Sequence, residues 1–176
     1  MPRNIEIKAR VDNVDALVPL AAALADHAPI EIPQDDTFFR CAAGRLKLRT
    51  FADGSGELIF YSRPDQPGPK QSSYSIAPIS APDSLRQVLS QAYGEVGRVI
   101  KHRTLFLIGR TRLHLDRVEK LGHFLELEAV LDVDEAPAAG VRELNDLMQK
   151  LQVRPVQLID GAYIDILGEA DLQSRD

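Results

Sequence analysis

Alternation constrains this chain more than any other feature of its sequence. In RNIEIKARV, Arg3–Val11, an aliphatic residue separates each polar or charged one. Successive side chains of a strand point to opposite faces, so Ile5, Ile7, Ala9 and Val11 share one face while Asn4, Glu6, Lys8 and Arg10 share the other. The same division recurs along the chain. Leu46 and Leu48 oppose Arg45, Lys47 and Arg49; Leu58 and Phe60 oppose Tyr61 and Arg63; Ile100 and Phe106 oppose Lys101 and Arg103. Leu113 and Leu115 oppose Arg112, His114 and Asp116, and Leu125, Leu127 and Ala129 oppose Glu126 and Glu128.

Eight such segments are separated by turn residues, among them ADGSG, PDQPGPK, Gly109 and EKLG. Three helical patterns interrupt them. The first follows Asp12 as N-cap, with Val14, Leu17, Val18 and Leu24 apolar and Pro19 as a kink. The second has Ser80 as cap and Gly94 as terminator, and the third spans about residues 137–151 with Val141, Leu144, Leu147 and Met148 on one face. DGAYIDILG adds a short final turn that Tyr163 and Asp165 pack or cap, and residues 169–176 read as a polar tail. No repeat or linker divides the chain, so residues 1–168 are expected to form one α+β domain: an antiparallel sheet or barrel with helices outside.

Composition narrows the functional classes. With 44% hydrophobic and 27% charged residues, neither disorder nor a fibrous repeat is indicated. A formal net charge of −5 argues against non-specific nucleic-acid binding, which rests on an excess of Lys and Arg, without excluding a basic pocket. Cys41 is the one cysteine, so a cysteine metal cage is excluded, and without a base partner nucleophilic use is not expected. The opening residues lack a signal-peptide pattern and no stretch approaches a membrane span. A cytoplasmic protein without membrane contact is expected.

The aliphatic faces require helices as cover, and the charged faces must meet either water or each other. An open sheet would make them an ordinary wet face. A closed one would enclose Lys8, Arg10, Arg45, Lys47, Arg49, Arg63, Lys101, Arg103 and Arg112 against Glu6, Asp116, Glu126 and Glu128. Such a cation excess repels itself unless a polyanion enters. The carboxylates suit Mg²⁺ or Mn²⁺, which commonly bridge protein oxygens to phosphates.

Taken in order, these segments resemble the CYTH family of triphosphate tunnel metalloenzymes, which includes class IV (CyaB-type) adenylyl cyclases and thiamine triphosphatases. NIEIK is similar to its E-x-E-x-K signature and QDDTFF to Q-x-D-T-Y-F; RLKLR resembles its basic strand and KHR its K-x-R pair. HLDRVEKLGHFLELE resembles the segment leading into the E-x-E strand, and AYIDIL resembles S-Y-x-D-L-L. The resemblance covers nearly the whole chain and implies an eight-stranded antiparallel β-barrel, a triphosphate tunnel, with helices packed outside. It implies that Glu6, Glu126 and Glu128 hold Mg²⁺ or Mn²⁺ and that Asp116 supports catalysis. Lys8, Lys47, Arg49, Arg63, Lys101 and Arg103 would grip the triphosphate, Lys8 also acting in catalysis, with Arg45 and Arg112 beside them. Two positions depart from the pattern. Asn4 replaces the first glutamate, which removes a negative charge and leaves one or two metals open, and Phe38 replaces a tyrosine.

Of the other candidates, His114 is expected to be a hydrogen-bonded wall residue, His102 structural, and Arg10 and Lys70 solvated. The implied enzyme acts on a nucleoside triphosphate or an inorganic or organic triphosphate. It resembles most a class IV cyclase converting ATP to cyclic AMP and pyrophosphate, with triphosphate hydrolysis and non-catalytic triphosphate binding as the alternatives.

Overall fold

The computed structural model describes residues 3–173. Among the described residues, nine strands form one antiparallel sheet: β1 (Arg3–Val11), β2 (Ile30–Phe39), β3 (Arg45–Thr50), β4 (Gly56–Ser62), β5 (Lys70–Ile79), β6 (Glu95–Ile108), β7 (Thr111–Val118), β8 (Gly122–Leu131) and β9 (Leu158–Ile159). The order is β5-β4-β3-β2-β6-β7-β8-β1-β9, and β1 also pairs with β5. That second pairing, Arg3–Glu6 against Lys70–Ser73, closes eight strands into a ring. The other half of the same β1 edge is taken by the two-residue β9, opposite Lys8 and Ala9. Closure removes the free edges that an open sheet would leave.

The alternating pattern dictates what lies on each side of the ring. Ile5, Ile7, Leu113, Leu115, Leu125 and Leu127 face outward into a core shared with Ala21 of α1 (Val18–Leu24) and Leu144, Leu147 and Met148 of α3 (Pro137–Lys150). Leu48, with Leu46 and Leu58, packs under Leu85 and Leu89 of α2 (Pro82–Tyr93). Tyr163, Ile164 and Leu167 of α4 (Tyr163–Gln173) join Phe38, Val99, Val118 and Phe124. Each fully buried aliphatic side chain contributes about 1.5–3 kcal/mol. The apolar faces are therefore spent on helix contacts, and the charged faces are left to the interior.

Local details differ from the sequence reading where backbone chemistry decides. Asn13 rather than Asp12 is the cap: its Oδ1 accepts from the Asp15 amide at 2.9 Å and starts a 3-10 turn, Val14–Ala16. Pro19 does not kink α1 but sits in its first turn, where a missing N–H costs nothing. Ala81 rather than Ser80 precedes α2, and Gly94, at φ 76°, ends it as expected. The final turn is a helix running to Gln173; the remainder of the expected tail, residues 174–176, lies outside the described residues.

Gly56 lets α2 sit close to the β3–β4 hairpin. A Cβ there would lie 2.6 Å from the Arg49 carbonyl oxygen and 2.9 Å from Pro82 Cβ. Because neither neighbour can swing away as a side-chain tip would, Gly56→Ala is expected to cost about 1–3 kcal/mol, measurable as a lower urea midpoint.

Candidate active site

The ring encloses a cavity of about 320 Å³. Cationic groups enter it from most of the circumference: Lys8 from β1, Lys47 and Arg49 from β3, Arg63 just after β4, Lys101 and Arg103 from β6, and Arg112 from β7. Glu6, Asp36, Glu57, Glu126 and Glu128 share the wall. The expected cation excess is thus smaller than the sequence reading made it, because Asp36 and Glu57 were not counted and two cations lie elsewhere. The Arg45 guanidinium is held outside the cavity lining by Asp65 at 2.9 Å and Asp165 at 2.8 Å. Arg10 is exposed at the strand end, stacked over Phe124 and donating to the Leu121 carbonyl at 2.9 Å.

Three networks organise the wall. In the first, Asp116 is fully buried behind the lining and receives Arg103 Nε and Nη2 at 2.7 Å each, the Tyr163 hydroxyl at 2.8 Å and Lys101 Nζ at 3.3 Å. Arg103 Nη2 also reaches Glu126 Oε2 at 2.8 Å, so one guanidinium bridges two carboxylates. In the second, Asp36 on β2 receives Lys47 Nζ at 2.8 Å and Arg49 Nε and Nη2 at 2.8 and 2.9 Å. In the third, Glu6 is paired with Arg63, Glu126 with Lys8 at 3.3 Å, and Glu128 with Arg112 at 2.8 Å. Sheet register explains two of these pairs, since Lys8 lies opposite Glu126 and Arg112 opposite Glu128.

These surroundings shift the ionisation of the groups. Burial pushes the Asp36 and Asp116 carboxyls upward, but Arg49 with Lys47, and Arg103 with Lys101, more than reverse this and hold both below the usual range. Burial, with Glu126 and Glu128 nearby, raises Glu6 against the pull of Arg63 and Lys8. Burial and the adjacent Arg103 lower Lys101 to about 7 despite Asp116. Burial and Arg103 also lower His114.

Among the described residues, the donors that gather tightly enough for one metal ion are those of His114, Glu126 and Glu128, within 4.8 Å of one another. Glu6 stands outside that group, with its carboxylate on Arg63. Two cationic and two neutral side chains on the wall have buried polar atoms without partners among the described residues: Asn4 Oδ1, Gln34 Oε1, Arg63 Nε and Arg112 Nε. Unmade hydrogen bonds at buried atoms are costly, so acceptors and donors of this kind suit a polar ligand. Glu126 and Glu128 offer gathered carboxylate oxygens of the kind that fit a hard divalent cation.

The chain matches the family model of the CYTH domain over residues 2–163. It belongs to the CYTH domain family. Adenylate cyclase CyaB of Aeromonas hydrophila is 28% identical over 169 residues, a match covering 90% of this chain and 85% of that protein. A solved Pyrococcus horikoshii OT3 protein has the same fold at a TM-score of 0.82 and 21% identity, over 92% of this chain and 98% of that one. The Hippeastrum protein HpAC1, described by its dominant triphosphatase activity, superposes at a TM-score of 0.68 with 16% identity, over 97% and 96% of the two chains.

Within this CYTH domain the structure brings Lys8, Lys47, Arg49, Arg63, Lys101, Arg103 and Arg112 together with Glu6, Glu126 and Glu128, as the alternating faces predict. The sequence reading missed Asp36, whose signal is the parity of β2: Gln34, Asp36 and Phe38 all face the cavity. It also placed Lys70 in solvent. Lys70 is 2% exposed and donates to the carbonyls of Gln66 at 3.0 Å and Asp160 at 2.8 Å, tying the β4–β5 loop to the segment before α4. Tyr163 packs as expected, against Phe124, but it also lies under Lys8 and Lys101 and completes the Asp116 network. No local signal reveals this, because Tyr163 and Asp116 are 47 residues apart. Asp165 caps the start of α4 through the Ala162 amide at 2.9 Å.

Proposed function

We propose that this CYTH domain is a metal-dependent enzyme acting on a triphosphate-bearing substrate inside the ring, and that its reaction is the cyclisation of ATP to cyclic AMP and pyrophosphate. The observation that carries this reading is the convergence of seven cationic side chains on one enclosed wall that also presents Glu126 and Glu128. Lys47, Arg49, Lys101 and Arg103 supply a rigid row of donors, each already oriented by Asp36 or Asp116. A triphosphate placed there meets preorganised charge, which both positions the chain and stabilises charge developing on the leaving phosphates. Lys8 and Arg63 contact the phosphates from the opposite wall, and Asp116 acts as a positioning residue through Arg103 and Lys101. Glu126 and Glu128, beside Glu6, would hold Mg²⁺ or Mn²⁺, which when bound neutralises phosphate charge. In cyclisation the ribose 3′-oxygen forms a bond to the α-phosphorus while the α–β bridging bond breaks. The hydroxyl proton is released, and pyrophosphate departs with the bonding electron pair.

Likeness to CyaB favours cyclisation. Hydrolysis is the second reading, favoured by the triphosphatase activity named for the Hippeastrum relative, because the same clamp serves water attacking a terminal phosphorus. One assay separates them: purified protein is incubated with ATP and, separately, tripolyphosphate, each with Mg²⁺ or Mn²⁺. Cyclic AMP with pyrophosphate is the expected outcome; orthophosphate from tripolyphosphate would select the hydrolase. Tight binding without product would make the domain a binding module.

Lys101 gives this reading a pH signature. With its pKa near 7, the free ammonium is largely deprotonated at pH 8.5, whereas a bound polyanion favours the charged form. Triphosphate binding is therefore expected to take up protons at pH 8.5 and few at pH 6, and affinity should fall as pH rises above about 7. Calorimetric titration in two buffers of different ionisation heat measures the uptake. Lys101→Arg should reduce it, and equal uptake at both pH values would contradict the assignment.

A further inference from the structure

We propose that His114 is the third protein donor to the cation held by Glu126 and Glu128, so that the site prefers Mn²⁺ to Mg²⁺. The inference rests on the triphosphate-site reading and specifies its metal.

His114 Nδ1 lies 3.4 Å from Glu126 Oε2 and 3.9 Å from Glu128 Oε1. As a hydrogen bond the first contact is poor, since N–H···O bonds cluster at about 2.7–3.2 Å. As a separation between two donors on one ion it is ordinary: ligand atoms about 2.0–2.3 Å from a common centre lie about 3–4.5 Å apart. Sheet register makes the arrangement, placing His114 directly opposite Glu126, with Arg112 opposite Glu128. Arg112 binds Glu128 Oε2 at 2.8 Å, and the nearer Glu128 oxygen to His114 is the other, Oε1.

All three wall glutamates are paired with cations, Glu126 with Lys8 and Arg103, Glu128 with Arg112 and Glu6 with Arg63, but among the described residues only Glu126 and Glu128 gather with His114, and Glu6 stands outside that trio. A separate sign that the cavity takes a ligand comes from Asn4. It is 3% exposed, it lines the same cavity from the strand paired to that of Glu126 and Glu128, and its Oδ1 has no donor among the described residues. A buried amide oxygen without a donor is stabilised by a cation or hydrogen-bond donor entering the cavity. The donor set is then two carboxylates and one imidazole. Mg²⁺ takes oxygen ligands almost exclusively, whereas imidazole nitrogen suits first-row transition metals.

The test is pulsed electron paramagnetic resonance of the full chain with Mn²⁺, where a directly bound imidazole imposes a ¹⁴N modulation on the echo decay. Wild type should show it and His114→Gln should not. The variant should bind Mn²⁺ at least about tenfold more weakly while its Mg²⁺ affinity changes less than about threefold. Bound Mn²⁺ without nitrogen modulation in wild type would overturn the assignment and leave the triphosphate reading standing. So would an equal loss of both metals in a variant whose thermal unfolding matches wild type. Failure of wild type to bind Mn²⁺ at all would overturn both. If His114→Gln does not fold, the wild-type spectrum decides alone.

Discussion

Arg103→Ala is expected to abolish measurable triphosphate binding and to destabilise the fold by about 3–5 kcal/mol, the range for removing one partner of a buried ion pair. The size of the effect follows from Asp116. Its carboxylate is completely buried, and Arg103 supplies two of its four contacts while also bridging to Glu126. Lys101 at 3.3 Å and Tyr163 at 2.8 Å would remain, which is too little for an ionised group out of water. The loss should depend on pH. Asp116 is held below the usual carboxylate range, so its ionisation contributes stability above its unfolded pKa that is lost as pH falls through the depressed folded value. Without Arg103 the carboxyl's pKa rises, and acid unfolding moves to higher pH. Urea unfolding between pH 3 and 7, monitored by circular dichroism, measures both effects. Arg103→Lys separates charge from shape: it keeps a cation but loses the fork, and should recover part of the stability and less of the binding.

Glu126→Gln is expected to lower turnover by about 100-fold or more, because a bound cation supplies several kcal/mol of charge stabilisation. It should also raise the Mn²⁺ concentration needed for half-maximal activity. The substitution keeps the side chain's shape and removes the charge that faces Lys8, Arg103 and His114. Tripolyphosphate binding without metal should survive or strengthen, since the wall becomes more positive. That opposition, weaker metal with undiminished phosphate binding, distinguishes a ligand role from general damage; loss of both together, with folding intact, would contradict it.

The parity of the strands made the charged wall legible in advance. Once Ile5, Leu113 and Leu127 are assigned to a helix-covered core, Glu6, Arg112 and Glu128 must face the other way, and ring closure turns that way inward. Closure itself is not written in any one segment. It depends on Arg3–Glu6 meeting Lys70–Ser73, a pairing across more than sixty residues, and the same meeting buries Lys70, which alone reads as a loop lysine. Internal neutralisation was also hidden. Asp36 belongs to the cavity by simple alternation, but its grip on Lys47 and Arg49 depends on β2 and β3 being neighbours. Arg45 has the right parity and still leaves the site, because Asp65 and Asp165, one in a loop and one on α4, compete for it. His114 lies on the wall in contact with Glu126, as its parity suggests; its distances to two glutamates, on which the proposed ligand role rests, are fixed only by the β7–β8 register.

The interior of the ring as a triphosphate site is tested most directly by a crystal structure of the protein grown with tripolyphosphate and Mn²⁺. Phosphate density is predicted inside the ring, contacted by Arg49, Lys101 and Arg103 on one side and by Lys8 or Arg63 on the other, with an anomalous Mn²⁺ peak at Glu126 and Glu128. An ordered interior that holds only water at saturating ligand, or phosphates bound solely to the outer surface, would contradict it.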